Sequence, residues 1–288
     1  MKIRIATCVV AMSAAGLLAA CGEKEEDTSA SGTTATTSLA DCTPDTLETK
    51  KAGTLTIGTD KPAFPPYFVD DDPTNGEGFE SATAYAIADQ LGYAETDVEW
   101  TVVPFNASYA PGPKDFDFDL NQISITPKRS EQVDFSAPYY EADQAVVALK
   151  DSDAASATSL ADLADAKIGV QIGTTSLEAV ESSIQPSEDP QVFDTSNDVV
   201  SALKNGQVDA VVVDVPTAFF LTAVQVTEAT TVGQFSAPGG DQWGALLEKD
   251  SPLTDCVSAA VTALQESGDL PAIEKKWMSD VTKAPILQ

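Results

Sequence analysis

The sequence predicts an α/β fold built as two lobes, on three observations. Its 288 residues exceed what one core of ordinary size holds and suit two bodies of common domain size. From Leu55 onward, short apolar runs alternate with helical patterns, which implies α/β layers with largely parallel sheets. Asp60, Ser124, Gly173 and Asp214 fall just beyond such runs, where ligands bind in sheets of this kind.

The elements follow in order. Leu55–Thr59 (LTIGT) reads as a strand turning at Asp60. The Pro-rich stretch Lys61–Phe68 excludes regular structure and presents Phe64 and Tyr67 from a loop. Phe79, Ala82, Ala86, Ile87 and Leu91 share one helical face, with Gly92 as a stop. Val98–Val103 alternates as a strand, Ala110–Pro113 breaks any helix after Phe105, and Asp119–Ile125 reads as a further strand. Thr126 caps a helix that has Pro127 at its first position.

The same alternation continues. Val146–Leu149 is apolar, Ser159–Ala164 is a short helix, and Lys167–Gln171 is a strand leading to Gly173. Helices are expected around Leu177–Ile184 and Asp198–Lys204, then a strand Ala210–Val213, then a helix from Pro216 to Ala223. Asp214 and Pro216 interrupt the apolar run Ala210–Val226, which is too short for a membrane span. Ser251 and Pro252 are expected to open a helix carrying Leu253, Cys256, Val257, Ala260, Val261 and Leu264 on one face, with Gly268 as the stop.

Ahead of these elements, Lys2 and Arg4 precede an uncharged apolar stretch from Ile5 to Ala20. That pattern is a secretory signal. It closes on Leu18-Ala19-Ala20-Cys21, which resembles the bacterial lipobox, where the cysteine receives a diacylglyceryl group. An ordinary signal peptide with an incidental cysteine is the alternative. Residues 1–20 are therefore expected to be a lipoprotein signal peptide. Residues 21–41, rich in Ser, Thr, Gly and Ala, are expected to be a flexible tether with a mean reach of about 25 Å.

Composition excludes several functions. Sixteen Lys and Arg stand against 45 Asp and Glu, for a net charge of −29, which repels nucleic acid and anionic lipid. The chain has no histidine, which removes Ser-His-Asp and Cys-His nucleophile pairs and His-ligated zinc. No metal or cofactor is expected. Cys8 leaves with the signal and Cys21 is the lipidation candidate, so Cys42 and Cys256 remain. Exported thiols tend to pair; two separate buried thiols are the alternative, and a metal site is disfavoured because two sulfurs half-fill a zinc shell.

Four blocks carry a resemblance. They are Gly58-Thr59-Asp60 before the aromatic and Pro loop, Ser124–Arg129 (SITPKR) with Val133–Tyr140 (VDFSAPYY), Gly169–Thr175 (GVQIGTT) and Gly206–Asp214 (GQVDAVVVD). In this order the sequence resembles the polar amino-acid family of ABC-importer solute-binding proteins, over roughly Cys42 to Trp277. The resemblance implies the type II periplasmic-binding-protein-like fold: two α/β lobes, two hinge strands and a ligand cleft between them. Residues 42–140 plus 241–288 would form lobe 1 and residues 141–240 lobe 2. A Cys42–Cys256 disulfide would then lie within lobe 1.

The site chemistry fits a zwitterion. Arg129 suits an α-carboxylate, because guanidinium pairs with it bidentately, and the helix start at Thr126 also favours an anion. By resemblance, Ser124 and the Gln122 backbone join that carboxylate shell, Thr174 and Thr175 add contacts from the other lobe, and Asp214 takes the ammonium. Phe64 corresponds to the aromatic that packs on the ligand, while Asp60 and Gln171 stand where its side chain ends. Each has a plainer reading: Thr174 and Thr175 as helix caps, Asp214 as a cap before Pro216, Phe64 as core, Gln171 as a solvated strand end. The sequence departs from the family at Asn121 and Gln122, where Ser or Gly is usual, and the family's acidic residue at the start of the first helix is Glu80.

The resemblance implies a monomeric, extracytoplasmic lipoprotein, anchored to the cell membrane at the periplasm or cell surface. It would deliver a polar amino acid to the permease subunits of an ABC importer, with no catalysis and no nucleic acid partner. The alternatives are a dehydratase-type enzyme on the same scaffold and a sensory ligand-binding lipoprotein.

Overall fold

The computed structural model describes residues 38–278 and 284–288. The signal, Cys21 and nearly all of the tether lie outside them.

Among the described residues, ten strands form two five-stranded sheets. The first holds β1 (Leu55–Thr59), β2 (Val98–Val102), β3 (Phe118–Asp119), β4 (Val133–Glu141) and β10 (Gln242–Glu248) in the order β2-β1-β3-β10-β4. The second holds β5 (Gln144–Leu149), β6 (Ile168–Gln171), β7 (Gln191–Phe193), β8 (Ala210–Asp214) and β9 (Ala229–Phe235) in the order β7-β6-β8-β5-β9. The chain passes from the first sheet to the second between β4 and β5 and returns between β9 and β10. Two lobes result.

Sheet direction differs from the expectation of largely parallel strands. β1 is parallel to β2 and β3, and β6 to β7 and β8, but β10 is antiparallel to β3 and β4, and β5 to β8 and β9. The antiparallel members are those entering or leaving a lobe at the crossings. β5 is buried almost throughout, with Val146 and Ala148 in one cluster and Ala145 and Val147 in another. This two-sided burial explains its unbroken apolar run.

Eight helices accompany the sheets among the described residues: α1 (Phe79–Gln90), α2 (Phe105–Ser108), α3 (Pro127–Ser130), α4 (Thr175–Ala179), α5 (Ser196–Lys204), α6 (Val215–Phe220), α7 (Thr254–Ser267) and α8 (Asp269–Met278). α4 and α6 each continue through a wider turn, Val180–Ile184 and Leu221–Gln225. Cys42 and Cys256 form a disulfide with a Cα–Cα distance of 5.6 Å, stapling the start of the first lobe to α7.

Several expected elements change. Of the expected strand Asp119–Ile125 only Asp119 lies in a strand, the two-residue β3 that starts one residue earlier, because Gln122 takes a left-handed backbone (φ 50°) that ends sheet geometry. α1 buries Glu80, Ser81 and Thr83 beside Phe79 and Ile87, while Ala82 is left half-buried. α7 begins at Thr254, and Ser251 instead closes a turn whose hydroxyl accepts from the Leu253 amide at 3.3 Å.

Residues 284–288 return to the second sheet. Ile286 bridges Gln234 in β9, the Gln234 amide donates to the Pro285 carbonyl at 2.7 Å, and the Leu287 amide donates to the Gln234 carbonyl at 2.9 Å. Leu287 is buried in that lobe's core. Gly233 makes room, since a Cβ there would lie 2.6 Å from Leu287 Cγ.

Candidate functional site

A cavity of about 410 Å³ lies between the two sheets' lobes, within the usual size of small-molecule sites. Its wall includes every residue expected from sequence. Asp60, Phe64, Gln122, Ser124 and Arg129 line it from the first lobe, and Gln171, Thr174, Thr175 and Asp214 from the second.

Arg129 is 7% exposed. Thr126 accepts from its amide at 3.2 Å, and Pro127 opens the turn, so the local sequence sets the side chain's direction. α3 is a single turn, so the guanidinium rather than a helix dipole supplies the positive charge. One terminal nitrogen donates to the Ser124 carbonyl at 2.7 Å and the other to the Gly173 carbonyl of the opposite lobe at 2.9 Å. The guanidinium stacks over Tyr109 (4.7 Å to the ring centre) and Phe105 (5.5 Å). Three of its five donors stay unspent in these bonds. Burial lowers its pKa, opposed by the Tyr109 hydroxyl and the Asp241 and Asp214 carboxylates.

Gln122 holds its unusual backbone because Glu80 pulls on it. The Gln122 amide donates to Glu80 Oε1 at 2.7 Å, its side-chain amide donates to Oε2, and the Tyr139 hydroxyl also donates to Oε1. Burial raises the Glu80 pKa to about 7 against the pull of those donors. Asp60 accepts from the Lys61 amide at 2.7 Å and the Phe105 amide at 3.1 Å, tying the end of β1 to α2. Phe64 faces Phe220 across the cavity with ring centres 5.9 Å apart.

In the second lobe Thr174 caps α4, accepting from the Leu177 amide at 3.3 Å. Thr175 does not cap. Its hydroxyl donates to Asp241 Oδ2 at 2.9 Å and lies 3.2 Å from the Ser124 hydroxyl of the first lobe. Gln171 accepts from Ser196 at 2.6 Å. Asp214, at the end of β8, accepts from Gln144 at 2.7 Å. Burial raises its pKa, with the neighbouring Asp241 carboxylate adding to the effect.

Sequence reasoning gave other residues here no part in the site, Tyr67 among them although the Pro-rich loop was expected to present it. Tyr67 donates to or accepts from Thr217 of the second lobe at 2.8 Å, and Phe220 forms part of the wall. Phe105 and Tyr109, one helical turn apart, were legible only as residues before a Pro-Gly-Pro break. Asp241 and Gln144 carried no local signal.

A cleft closed by side chains from both lobes, with a buried guanidinium and a carboxylate on its walls, defines a two-lobed ligand-binding protein. The chain belongs to the bacterial extracellular solute-binding proteins, family 3, which it matches over residues 55–280. It is 30% identical over 240 residues to the L-cystine-binding protein TcyJ of Escherichia coli (strain K12), covering 81% of this chain and 86% of that one. It is 29% identical over 208 residues to the arginine-binding extracellular protein ArtP of Bacillus subtilis (strain 168), covering 70% and 78%. Among solved structures, an ancestral arginine-binding protein bound to glutamine superposes with a TM-score of 0.67 at 33% identity, covering 79% of this chain and 99% of that chain. Among the described residues, no helix is long and apolar enough to cross a membrane, and no group of three or more acidic or cysteine side chains could hold a metal.

Proposed function

We propose that this protein captures a polar amino acid as a zwitterion between its lobes and delivers it to the permease of an ABC importer. The observation that supports this best is the pair Arg129 and Asp214, opposite charges from different lobes on one cavity wall. Arg129 takes the α-carboxylate with Ser124 and the Gln122 amide. Asp214 takes the ammonium, and Thr174 and Thr175 add contacts from the second lobe. Phe64 packs on the side chain, whose end meets Asp60 and Gln171. Touching both lobes, the amino acid favours the closed form that a permease recognises. Lobe 1 comprises residues 42–140 plus 241–288, the last five of which lie on the other sheet, and lobe 2 comprises 141–240. We read the protein as a binder rather than an enzyme, since its curated relatives are named as binding proteins and it lacks histidine.

A thermal-shift screen of the twenty amino acids identifies the ligand, and calorimetry then tests the clamp. Losing one partner of a buried charge pair costs roughly 2–5 kcal/mol, or about 30- to several-thousand-fold in affinity. Arg129→Ala and Asp214→Ala are each expected to weaken binding by that order and to stay folded. Binding by Arg129→Ala within about threefold of wild type would show the carboxylate site to be elsewhere.

The mature protein is proposed to be a monomer anchored through lipidated Cys21, with residues 21–41 as tether, on the extracytoplasmic face of the cell membrane. Cys21→Ser is expected to move the protein to the soluble fraction; retention at the membrane counts against the anchor.

A further inference from the structure

The Pro-rich loop and α6 meet in matched pairs across the cavity. Phe64 and Tyr67 stand three residues apart on the loop, and Thr217 and Phe220 stand three apart on α6, about one helical turn. The Tyr67 and Thr217 hydroxyls lie 2.8 Å apart, and the Phe64 and Phe220 ring centres 5.9 Å. Both contacts join protein groups of opposite lobes.

Tyr67 is fixed within the first lobe. Its ring meets Trp243 edge-on at 5.7 Å, and Trp243 is itself fully buried. Its amide donates to the Phe64 carbonyl at 3.1 Å, and its carbonyl accepts from the Glu80 and Ser81 amides at 3.0 and 3.3 Å. Gly78 allows that approach, since a Cβ there would lie 2.3 Å from the Tyr67 carbonyl oxygen. At 2% exposure, the side chain has little rotamer freedom left to lose when its hydroxyl finds a partner. Burial raises its pKa, with the Asp214 carboxylate adding to the effect, so the hydroxyl keeps its proton at neutral pH.

Thr217 lies in the first turn of α6, three residues after Asp214 at the end of β8. Holding Thr217 therefore holds the turn that carries the carboxylate proposed for the ligand's ammonium. A separate seam joins Thr175 to Ser124 (3.2 Å) and Arg129 to the Gly173 carbonyl (2.9 Å). The Tyr67–Thr217 pair thus stands apart from the guanidinium side of the cavity.

We propose that Tyr67 is a positioning residue whose hydroxyl latches α6 to the first lobe, drawing the free protein toward the closed form and so strengthening the binding of every ligand by one common factor. Its ligands rest on the amino-acid reading above. Apparent affinity is intrinsic affinity multiplied by the fraction of protein in the competent form. A bond made on closure between two protein groups changes that fraction alone, and scales all ligands alike. Residues at the end of the ligand's side chain, as Asp60 and Gln171 are proposed to be, would instead change the ranking of ligands. One hydrogen bond corresponds to a factor of about two to ten.

Tyr67→Phe removes one hydroxyl and keeps the ring, Thr217→Val removes the other and keeps the branched shape, and Thr217→Ser keeps the hydroxyl. Small-angle X-ray scattering without added ligand is the first test. Tyr67→Phe and Thr217→Val are expected to show a larger radius of gyration than wild type, and Thr217→Ser the wild-type value. Equal radii across the set overturn the proposal.

Calorimetry with L-glutamine and with L-arginine is the second. Each hydroxyl deletion is expected to weaken both amino acids by the same factor, about two- to tenfold. The double variant is expected to bind within about twofold of either single one, because no bond is left for the second change to break. Thr217→Ser is expected to bind as wild type does. Losses that multiply in the double variant overturn the latch. So do losses that differ between the two amino acids by more than about fivefold, since Tyr67 would then be touching the ligand's side chain. If neither amino acid binds wild type, the amino-acid reading is what fails, and the scattering comparison alone decides the latch.

Discussion

Glu80 carries no ligand contact in the proposed clamp, yet it shapes the cavity wall by drawing in both nitrogens of Gln122. Its folded-state pKa of about 7 lies above the ordinary 4.5. A carboxyl raised by folding contributes stability below its unfolded pKa and loses it as pH rises through the folded one. Glu80→Gln cannot ionise. Between about pH 4 and pH 8, its stability relative to wild type should therefore rise by about 3 kcal/mol, because a tenfold change in proton affinity is worth about 1.4 kcal/mol. Urea denaturation at both pH values measures this, and parallel behaviour of the two proteins would contradict it. The residues legible in sequence were those embedded in motif blocks, such as Ser124–Arg129 and Gly169–Thr175. Asp241 was not legible, because its meaning comes from Gln144, 97 residues away in sequence. Tyr109 was hidden likewise, since nothing local announces the guanidinium it stacks upon.

At the level of elements, strands with continuous apolar burial are legible in the sequence, β1, β6 and β8 among them. β4, β9 and β10 are not, and the reasons differ. β4 carries Pro138 at a register shift against β10, and β9 is interrupted by polar Thr and Gln. The start of α7 was misplaced because Ser251-Pro252 has the composition of a helix opening but forms a turn. At the turn before α4 two elements from opposite lobes approach closely. Gly173 has φ +73°, and a Cβ there would lie 2.3 Å from the Tyr109 hydroxyl and 2.9 Å from Asn106 Oδ1. Gly173→Ala forces the lobes apart only when they are closed, and the left-handed backbone adds roughly 1–2 kcal/mol of strain. The expected outcome is about tenfold weaker binding of the amino acid found by the thermal-shift screen, with the unliganded protein melting only a few degrees lower. Unchanged affinity by calorimetry would mean that Tyr109 can move aside freely.

Over the whole molecule, the fold class followed from length, alternation and the ordered motif blocks, while the sharing of residues between lobes did not. The disulfide is the longest-range covalent constraint, closing a loop with a sequence separation of 214. The chain-entropy model assigns such a loop about 5 kcal/mol, an upper figure because native strain subtracts from it. Cys42→Ser with Cys256→Ser should lower unfolding stability toward that amount, with the loss concentrated in amides of the first lobe when followed by hydrogen exchange. A loss below about 1 kcal/mol would indicate that packing of α7 against β4 already holds the chain's start in place.

Residues 284–288 pair with β9 after α7 and α8 have packed on the other lobe. A dye at exposed Ser267 and another at exposed Gln288 would be close in sequence yet ride on different lobes. Their energy transfer becomes a ruler for the hinge, built from one short stretch of chain and leaving the cavity untouched.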